Sequence, residues 1–302
     1  MDIPVATVID AGRCIGCGLC VKVCPHRTIS MQGEKAVVSG NRSMSCGHCA
    51  AVCPADAIRV NMIDKETSRF ATFTVDDTWL PYGEYDTAQL VRLMGSRRSC
   101  RNYRDIPVNR ALLDDLVKIG VTAPSGTNSQ LWTFTLLPTR KAVLNLGGHV
   151  AASFKKLNRM SENRYLRCFL KLIGKPELDE YFREYHDSVE EALAEWDNSG
   201  IDRLFHGASA AMVIGSKPGA SCPREDALLA TQNILLAAHS LGLGTCLIGF
   251  AVEAIKQDIT IKRFLGIPDD EKVYSVIAIG YPNEKYQRMA GRKKYSQRYY
   301  EA

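Results

Sequence analysis

The stretch Cys14–Pro25 reads CIGCGLCVKVCP and places four cysteines on one short loop, followed directly by a proline. Three thiolates this close together can hold three corners of an iron–sulfur cubane, and the glycines between them let backbone amides approach the cluster. A zinc ribbon would instead pair one short CxxC with a distant second pair. The spacing therefore predicts an iron–sulfur site with these candidate ligands: Cys14, Cys17, Cys20 and Cys24.

The same pattern recurs further along the chain with one cysteine missing. Residues 41–54 read NRSMSCGHCAAVCP, and each cysteine lies 29 positions after its counterpart in the first run (46 − 17, 49 − 20 and 53 − 24). The repeated cysteines are Cys46, Cys49 and Cys53. The remaining position of the second run lies three residues before its first cysteine, and Ser43 occupies it. An internal repeat of this kind argues strongly against a chance match.

On these two runs, residues 1–62 resemble a two-cluster bacterial ferredoxin. In that family the fourth cysteine of each run ligates the other cluster. The resemblance implies that cluster one is held by Cys14, Cys17, Cys20 and Cys53, and that cluster two is held by Cys46, Cys49 and Cys24. A unit this small buries little apolar surface, so the clusters must supply much of its folding free energy.

The missing ligand at Ser43 leaves three alternatives for cluster two. The cluster is a [3Fe–4S] centre, or the Ser43 oxygen binds the fourth iron, or that iron carries water or an outside ligand. A hydroxyl is a harder and poorer ligand for iron than a thiolate, so serine ligation ranks last. His48 is a spare ligand only in principle, because a loop histidine is more often simply hydrogen-bonded.

Length and composition describe an ordinary globular protein of two domains. The chain has 302 residues and a net charge of +5. Binding to nucleic acid would need a larger basic excess with interleaved aromatic residues, so none is expected. The N-terminal residues lack the pattern of a secretory signal, and no apolar run is long enough to span a bilayer. These features predict a cytoplasmic protein with no membrane association, in which four scattered cysteines are buried, reduced thiols: Cys100, Cys168, Cys222 and Cys246.

The hydrophobic pattern divides the rest of the chain into a connector and an α+β domain. Residues 63–86 show no sustained period and are interpreted as a connector, and residues 87–302 form the second domain. Helices are predicted at 87–96, 110–123, 150–200 and 223–244, and strands at 131–137, 210–216 and 272–282. The helix that begins at Pro223 is apolar on nearly every face, which predicts burial in a domain or subunit interface.

Four stretches of this second domain have a composition suited to a phosphorylated, flat ligand. Residues 96–103 read SRRSCRNY, where arginines and a serine hydroxyl can clamp a phosphate. Residues 123–132 read APSGTNSQLW, which is rich in small donors but is also typical of an ordinary capped loop. Residues 241–250 read LGLGTCLIGF, whose glycines let backbone amides approach closely. Basic residues then follow Gly280, Tyr281 and Pro282.

Taken in this order, the four stretches resemble the nitroreductase family of FMN enzymes over residues 87–295. The resemblance implies an α+β fold with a mostly antiparallel sheet flanked by helices. It also implies a homodimer, with FMN at the subunit interface. The whole chain, a ferredoxin unit followed by this domain, resembles the ferredoxin-fused nitroreductases of anaerobic prokaryotes.

The resemblance also assigns FMN-binding residues. For the phosphate and ribityl chain they are Arg97, Arg98, Ser99 and Arg101; for the flavin N5 and ring edge they are Leu247, Ile248 and Gly249; from the partner subunit they are Pro124, Ser125 and Asn128. Arg292, or in second place Lys293, is implied to reach the same phosphate. No catalytic acid or base is identified. Residues 150–205 are expected to set substrate specificity, with no individual residue assigned.

Together, the two halves predict an FMN- and iron–sulfur-dependent oxidoreductase. A cluster handles one electron at a time and FMN accepts one or two, so single electrons would enter through the clusters and leave in pairs. The expected acceptor is a small electrophile such as a nitroaromatic, a quinone or an activated alkene, and the expected donor is reduced ferredoxin or NAD(P)H. An alternative is an electron-transfer or redox- and iron-sensing flavoprotein with little turnover. A flavin-fragmenting or dehalogenating enzyme on the same fold is a third possibility.

Overall fold

The computed structural model describes residues 5–301, and these form two compact units. The first unit comprises residues 5–75 together with the short segments Pro124–Gln130 and Ala220–Cys222. The second unit comprises the segments Asp76–Ala123 and Leu131–Gly219 and the chain from Pro223 onwards. Within residues 5–301, no helix is both long enough and apolar enough to cross a membrane.

The first unit consists of two small antiparallel strand pairs and two single-turn helices. In chain order its elements are β1 (Thr7–Ile9), α1 (Leu19–Val23), β2 (Ile29–Gln32), β3 (Lys35–Val38), α2 (His48–Ala51) and β4 (Ile58–Val60). Strand β1 pairs with β4, and β2 pairs with β3. The 29-residue offset of the cysteines also separates the starts of α1 and α2 and those of β2 and β4 (48 − 19 and 58 − 29). The repeat seen in the sequence is therefore a structural repeat.

Backbone dihedral angles repeat in the same way. Left-handed residues occur in three pairs at this offset: Gly16 (φ 75°) with Ser45 (φ 50°), Gly18 (71°) with Gly47 (75°), and Arg27 (53°) with Asp56 (45°). Glycine is needed at position 16, because a Cβ there would lie 2.1 Å from the carbonyl oxygen of Glu34. Ser45 adopts the matching conformation despite its side chain, which costs about 1 kcal/mol or more. The cysteine loops of both runs thus share one backbone geometry.

The apolar core of the first unit is small. Its buried residues are Ile29, Ala36, Ala57, Ile58 and Val60, together with three of the cysteines. A core of this size leaves folding dependent on cross-links or metal. Beyond β4, residues 61–86 contain one short 3₁₀ helix, at Lys65–Ser68.

The second unit is built on one antiparallel sheet and nine helices among the residues that the structure describes. In chain order its elements are α3 (Thr87–Ser96), α4 (Arg110–Gly120), β5 (Trp132–Leu137), α5 (Arg140–Glu162), α6 (Arg164–Leu172), α7 (Glu177–Glu184), α8 (His186–Ser199), β6 (Ala210–Ser216), α9 (Pro223–Ser240), β7 (Gly244–Leu247), α10 (Gly249–Gln257), α11 (Ile259–Phe264) and β8 (Lys272–Gly280). The strand order is β5-β6-β8-β7, and every neighbouring pair is antiparallel. The fold is α+β, as the sequence predicts.

Helices cover both faces of this sheet. Along β6, Ala211 and Val213 face a core cluster that includes residues of α5, α8, α10 and α11, whereas Met212 and Ile214 face a second cluster that includes residues of α4 and α9. The alternation follows from the period of two in a strand. All seven residues of β6 are buried because the strand is central and covered on both sides.

The structure confirms most of the predicted elements and corrects several details. Residues 244–247, which the sequence suggests only as a glycine-punctuated ligand segment, also form strand β7. The helical region 150–200 is divided into four helices, with breaks that include Tyr185. Helix α9 is buried within the chain on most of its surface but exposes Leu228 and Leu229, so burial of that face in a subunit interface stays a prediction. The prediction of buried thiols holds for Cys100 and Cys246 and is wrong for Cys168 and Cys222, which are exposed.

Candidate functional site

The seven clustered cysteines surround two separate cavities in the first unit. One cavity has a volume of about 310 Å³ including its opening to solvent, and its lining cysteines are Cys14, Cys17, Cys20 and Cys53. The other has a volume of about 360 Å³ on the same basis, and it is lined by Cys24, Cys46 and Cys49 together with Ser43 and His48. The grouping is the one that the ferredoxin resemblance implies, with the last cysteine of each run at the cavity of the other run.

Backbone amides approach the cysteine sulfurs in both runs. The amide of Thr28 donates to Cys24 Sγ, and the amide of Ala57 donates to Cys53 Sγ, each at 3.3 Å. The amides of Ala36 and Gly16 lower the pKa of Cys14. Burial alone would raise the pKa of Cys24, but hydrogen bonds from Thr28 and nearby amides outweigh it and lower that pKa. Amides directed at sulfur stabilise thiolates, the form that binds iron.

Ser43 occupies the structural place of Cys14. The two residues are 29 positions apart (43 − 14), and both receive a backbone amide from two residues further on: Gly16 for Cys14 and Ser45 for Ser43. The amide of Ser45 lies 3.0 Å from Ser43 Oγ. Ser43 therefore lies at the wall of the second cavity in the place of the missing cysteine, with an oxygen where the first run has a sulfur.

The arrangement suits a cluster better than a single metal ion. In residues 5–301, no three His, Cys, Asp or Glu side chains converge on a point where one ion could bind. A cubane does not require such convergence, because each iron takes one cysteine and the ligands surround a volume. The two thiol-lined cavities fit iron–sulfur clusters in this respect.

In the second unit, residues 97–104 lie along the edge of the sheet beside β7. Ser99 bridges to Thr245, and the Cys100 amide donates to the Thr245 carbonyl at 2.9 Å. Gly244 permits this approach, since a Cβ there would lie 2.8 Å from the Cβ of Cys100. The arginine segment is therefore fixed next to the strand that leads to residues 247–249.

Basic residues from distant parts of the sequence meet at this edge. Burial lowers the pKa of Arg97, and the nearby charges of Arg292 and Arg98 lower it further. Within the described part of the chain, none of these three arginines forms an ion pair with a carboxylate. A group of mutually repelling guanidinium ions is stabilised by an anion, and a phosphate suits their bidentate geometry. The residues present thus fit the phosphate of FMN.

The segment assigned to the flavin edge ends β7 and begins α10. Ile248 is the N-cap of α10, and no side chain caps the first turn. Leu247 and Gly249 are exposed, and a Cβ built on Gly249 would meet nothing within 4 Å. Free amides at the start of a helix attract electron-rich groups, so this segment can accept the polar edge of a flavin.

The loop Pro124–Gln130 belongs to the first unit and lies beside the second cysteine run. Asn128 Nδ2 donates to the Met44 carbonyl at 2.8 Å, and Met44 lines the cavity of cluster two. Three residues of this loop have left-handed φ angles without being glycine, namely Thr127, Asn128 and Gln130. Strain of this kind is typical of functional loops. The roles of Pro124, Ser125 and Asn128 at FMN remain predictions.

Two histidines that the sequence analysis did not single out lie near the arginine group. Burial and the charge of Arg97 lower the pKa of His239 at the end of α9. Burial also lowers the pKa of His206, which lies within electrostatic range of Arg101. Neither histidine belongs to a motif with recognisable spacing, and only the tertiary structure brings them to the site.

Family models match both halves of the chain. A model described as the nitroreductase family matches residues 94–281, which is more than half of the chain, and one described as a 4Fe-4S dicluster domain matches residues 13–72. The chain is 28% identical over 209 residues to an NADH dehydrogenase of Thermus thermophilus, covering 68% of this chain and 90% of that protein. It is 27% identical over 214 residues to a 4-nitrobenzoate reductase of a Nocardioides species, covering 64% and 81%.

A solved structure of a nitroreductase with bound FMN from Bacteroides fragilis is similar with a TM-score of 0.48 and 20% identity, covering 69% of this chain and 95% of that one. The family match agrees with the antiparallel α+β fold and the arginine-lined sheet edge of the second unit, and the dicluster match agrees with the two thiol-lined cavities of the first. The chain therefore belongs to the nitroreductase family, a family of FMN-dependent oxidoreductases, and carries a 4Fe-4S dicluster domain ahead of its nitroreductase domain.

Proposed function

We propose that this protein passes electrons from two iron–sulfur clusters to FMN and on to a small electrophilic acceptor. The observation that carries the proposal is the group of unpaired arginines beside the uncapped start of α10, on the same chain as two thiol-lined cavities. The first feature suits a phosphorylated flavin and the second suits one-electron clusters. When bound, these groups supply the conversion between single electrons and electron pairs.

Different residues of the chain hold the phosphate of FMN, the flavin ring and the clusters. Arg97, Arg98 and Arg292 neutralise the phosphate, and Ser99 lies beside β7, where its hydroxyl can reach the same group. With FMN bound, the amides at the start of α10 would face the polar edge of the flavin ring, and the cationic groups nearby would favour its reduced, anionic form. The seven thiolates around the two cavities hold the clusters.

The proposed reaction balances without a catalytic acid from the protein. A nitroaromatic takes up two electrons and two protons, loses water and becomes a nitroso compound. A quinone takes up two electrons and two protons and becomes a hydroquinone. On the proposed route the electrons come from a reduced one-electron carrier of the ferredoxin class, with direct hydride transfer from NAD(P)H to the flavin as the alternative, and the protons come from water. The name of the Nocardioides relative, a 4-nitrobenzoate reductase, supports the nitro group as one acceptor.

For cluster two, the proposal is a [3Fe–4S] centre or a [4Fe–4S] centre with a labile iron. The support is Ser43, whose oxygen already accepts the Ser45 amide and is a poor ligand for iron. Cluster one is proposed as [4Fe–4S], because four cysteines surround its cavity. A redox- or iron-sensing function is the second candidate, and the same substitution at Ser43 favours it.

The electron route can be tested by removing a ligand of cluster one. In the Cys17→Ser variant, we expect reduction of the flavin by a one-electron donor to slow at least tenfold, while the flavin content stays the same. Anaerobic stopped-flow absorbance with reduced ferredoxin measures this rate. Cys168→Ser, which changes an exposed cysteine outside both cavities, is the matched control. An unchanged rate in Cys17→Ser would refute entry through the clusters.

The direct donor is tested separately with NADH and NADPH under anaerobic conditions. Prompt bleaching of the flavin band would show that the clusters are not the entrance and would contradict the proposed direction. Bleaching only after reduced ferredoxin is added would support it. Multiple turnover with nitrobenzene or a quinone would favour the enzymatic function over the sensing function, because a sensing flavoprotein is expected to reduce every acceptor poorly.

A further inference from the structure

The loop Pro124–Gln130 carries a side chain that reaches the second cysteine run. Asn128 Nδ2 donates to the carbonyl of Met44 at 2.8 Å, and Met44 directly follows Ser43 in the chain. A carbonyl can only accept, so the amide nitrogen of Asn128 must be the group that faces it. Gln130 donates in turn from Nε2 to Asn128 Oδ1 at 2.8 Å. Both polar atoms of the Asn128 side chain are therefore hydrogen-bonded, which fixes its orientation.

The peptide unit between Met44 and Ser45 connects this contact to Ser43. Its carbonyl accepts from Asn128, and its N–H donates to Ser43 Oγ at 3.0 Å. Because a peptide unit is planar, fixing the direction of the carbonyl also fixes the direction of the N–H. Asn128, the peptide and Ser43 therefore form one chain of hydrogen bonds, in which each bond polarises the next.

This peptide is held in a strained orientation. Ser45 has a φ of 50°, whereas its counterpart in the first run is a glycine, Gly16. Serine, unlike glycine, is strained in the left-handed region. Rotation of the peptide would relieve the strain but would withdraw the N–H from Ser43. The hydrogen bond from Asn128 opposes this rotation, so it keeps the N–H directed at the position where the first run has Cys14.

The two thiol-lined cavities differ in their surroundings. At the first, Ile15 is 67% exposed and Cys17 is exposed, whereas the cysteines of the second are buried or half-buried. Within residues 5–301, the residues that line the first cavity form their hydrogen bonds with residues 5–75. The second cavity is hydrogen-bonded to Pro124–Gln130, a segment whose chain continues from α4 into β5. A carrier protein can therefore reach the first cavity, and a path of bonds leads away from the second.

We propose that electrons enter at the cavity that has the exposed Cys17 and leave from the cavity of the second run through the loop Pro124–Gln130, with Asn128 as the positioning residue at that exit. The proposal rests on the proposed function and gives each cluster its place in the route. Each step moves one electron, from a reduced carrier of the ferredoxin class to the clusters and on to FMN, and breaks no bond. Asn128 acts through the peptide that it holds beside Ser43.

Two substitutions separate the amide of Asn128 from its backbone conformation. Asn128 has a φ of 55°, so Asn128→Gly removes the donor without adding strain. Asn128→Asp keeps the shape of the side chain but presents an oxygen to the Met44 carbonyl. Thr127→Gly is the matched control, because Thr127 has a φ of 52° in the same loop. Its side chain bonds to Gly126 and Ser221 rather than to the second cysteine run.

The exit is measured on the full-length protein loaded with both clusters and FMN. Low-temperature EPR reports on each cluster, and the signal that Ser43→Cys changes is assigned to cluster two. Anaerobic stopped-flow absorbance with reduced ferredoxin gives the rate of flavin reduction. We expect both Asn128 variants to change the signal of cluster two alone and to slow flavin reduction at least threefold. Thr127→Gly should change neither, and equal iron and flavin contents in all variants show that the protein has folded.

The entry is measured as the dependence of the same rate on ferredoxin concentration. Ile15→Glu places a charge on the exposed surface of the first cavity, and we expect at least threefold more ferredoxin to be needed for half the maximal rate. Val8→Glu is the control, because Val8 is 52% exposed but lines neither thiol-lined cavity. Equal ferredoxin requirements in both variants would overturn entry at this surface.

The outcomes separate this route from the proposed function. If both Asn128 variants keep the wild-type EPR spectrum and the wild-type rate, Asn128 has no positioning role and the exit through its loop is wrong, while the proposed function stands. A changed signal of cluster two with an unchanged rate would also overturn the exit. The proposed function fails in the wild type itself, if its flavin stays oxidised after reduced ferredoxin has reduced the clusters.

Discussion

At the scale of single residues, we propose that Ser43 sets the chemistry of the second cluster. Because it matches Cys14 in position and in the amide it accepts, a thiol at this place should complete the ligand set. We expect Ser43→Cys to change the low-temperature EPR spectrum, with loss of any [3Fe–4S] signal. Ser39→Cys, which adds a thiol at an exposed site outside the cavity, should leave the spectrum unchanged. Identical spectra for Ser43→Cys and wild type would show that the missing thiolate has no influence.

The arginine group gives a second prediction at this scale. Arg292 is close enough to Arg97 to lower its pKa, whereas no such interaction links Arg97 to Lys293. A charge-assisted hydrogen bond contributes about 1.5–3 kcal/mol, so losing Arg292 should weaken FMN binding about tenfold or more. Titrating FMN into the flavin-free protein and following flavin fluorescence measures the affinity. Arg292→Ala should show the loss and Lys293→Ala should not, and the reverse result would assign the phosphate contact to Lys293.

Site residues could be predicted from the sequence where the chemistry of the site fixes their spacing. The seven clustered cysteines could be identified in this way, because a cubane requires ligands at short and regular intervals. The grouping of Arg97 with Arg292 rested on a family resemblance, and His206 could not be found at all. Its place depends on a loop whose geometry is set by tertiary contacts, which leave no periodic signal in the sequence.

At the scale of elements, the connection between α8 and β6 is held by one buried carboxylate. Asp202 accepts hydrogen bonds from the amides of Leu204 and Phe205 and forms an ion pair with Arg140 at 2.7 Å. Its side chain is only 3% exposed. These contacts fix the loop that carries His206.

Removing this carboxylate should destabilise the second unit strongly. Breaking a buried ion pair from one side typically costs about 3–5 kcal/mol, and the partly exposed Arg140 places Asp202→Ala near the lower end. Urea unfolding followed by circular dichroism measures the free energy of unfolding. Asp197→Ala, which breaks the exposed pair with Lys155, should cost about 1 kcal/mol or less. Equal losses in both variants would contradict the structural role of Asp202.

The same loop makes stability depend on pH. Burial lowers the pKa of His206, so the unfolded chain takes up its proton first, near pH 6.5. The stabilisation is therefore present above this pH and is lost as pH falls through the folded-state pKa. Between pH 7.5 and 5.5, wild type should lose more unfolding free energy than His206→Asn. His186 is a control of opposite sign, because hydrogen bonding to Asp187 raises its pKa. Its contribution to stability is therefore present at low pH and is lost as pH rises through the folded-state pKa.

Secondary structure was predictable where one pattern dominates. The period of two in β5 and the apolar run of β6 marked both strands, and Pro223 marked the start of α9. Strand β7 was harder to recognise because it is short and begins with glycine. Its conformation comes from pairing with β8 and from the segment beside it, which are long-range interactions.

At the scale of the whole molecule, exposed apolar residues on α3 and α9 support the proposed homodimer. Val91 and Met94 on α3 and Leu228 and Leu229 on α9 are 41–57% exposed. Burying such residues between subunits is favourable, at about 25 cal/mol per Å². Light scattering coupled to size exclusion should give twice the 33.4 kDa chain mass. Leu229→Glu should shift the protein towards the monomer and Tyr299→Glu, at an exposed terminal site, should not; a monomeric wild type would refute the dimer.

The crossed ligand sets of the two cavities have a consequence for biogenesis. Cys53 serves the cavity of the first run and Cys24 serves that of the second, so neither loop can complete its own site. On the proposed ligand sets, iron incorporation at either site requires both loops to be synthesised and brought together. A ribosome that has released only the first run exposes four thiols: Cys14, Cys17 and Cys20 still lack Cys53, and Cys24 still lacks its partners in the second run. On these ligand sets, maturation of either cluster must therefore wait until the second run has been synthesised.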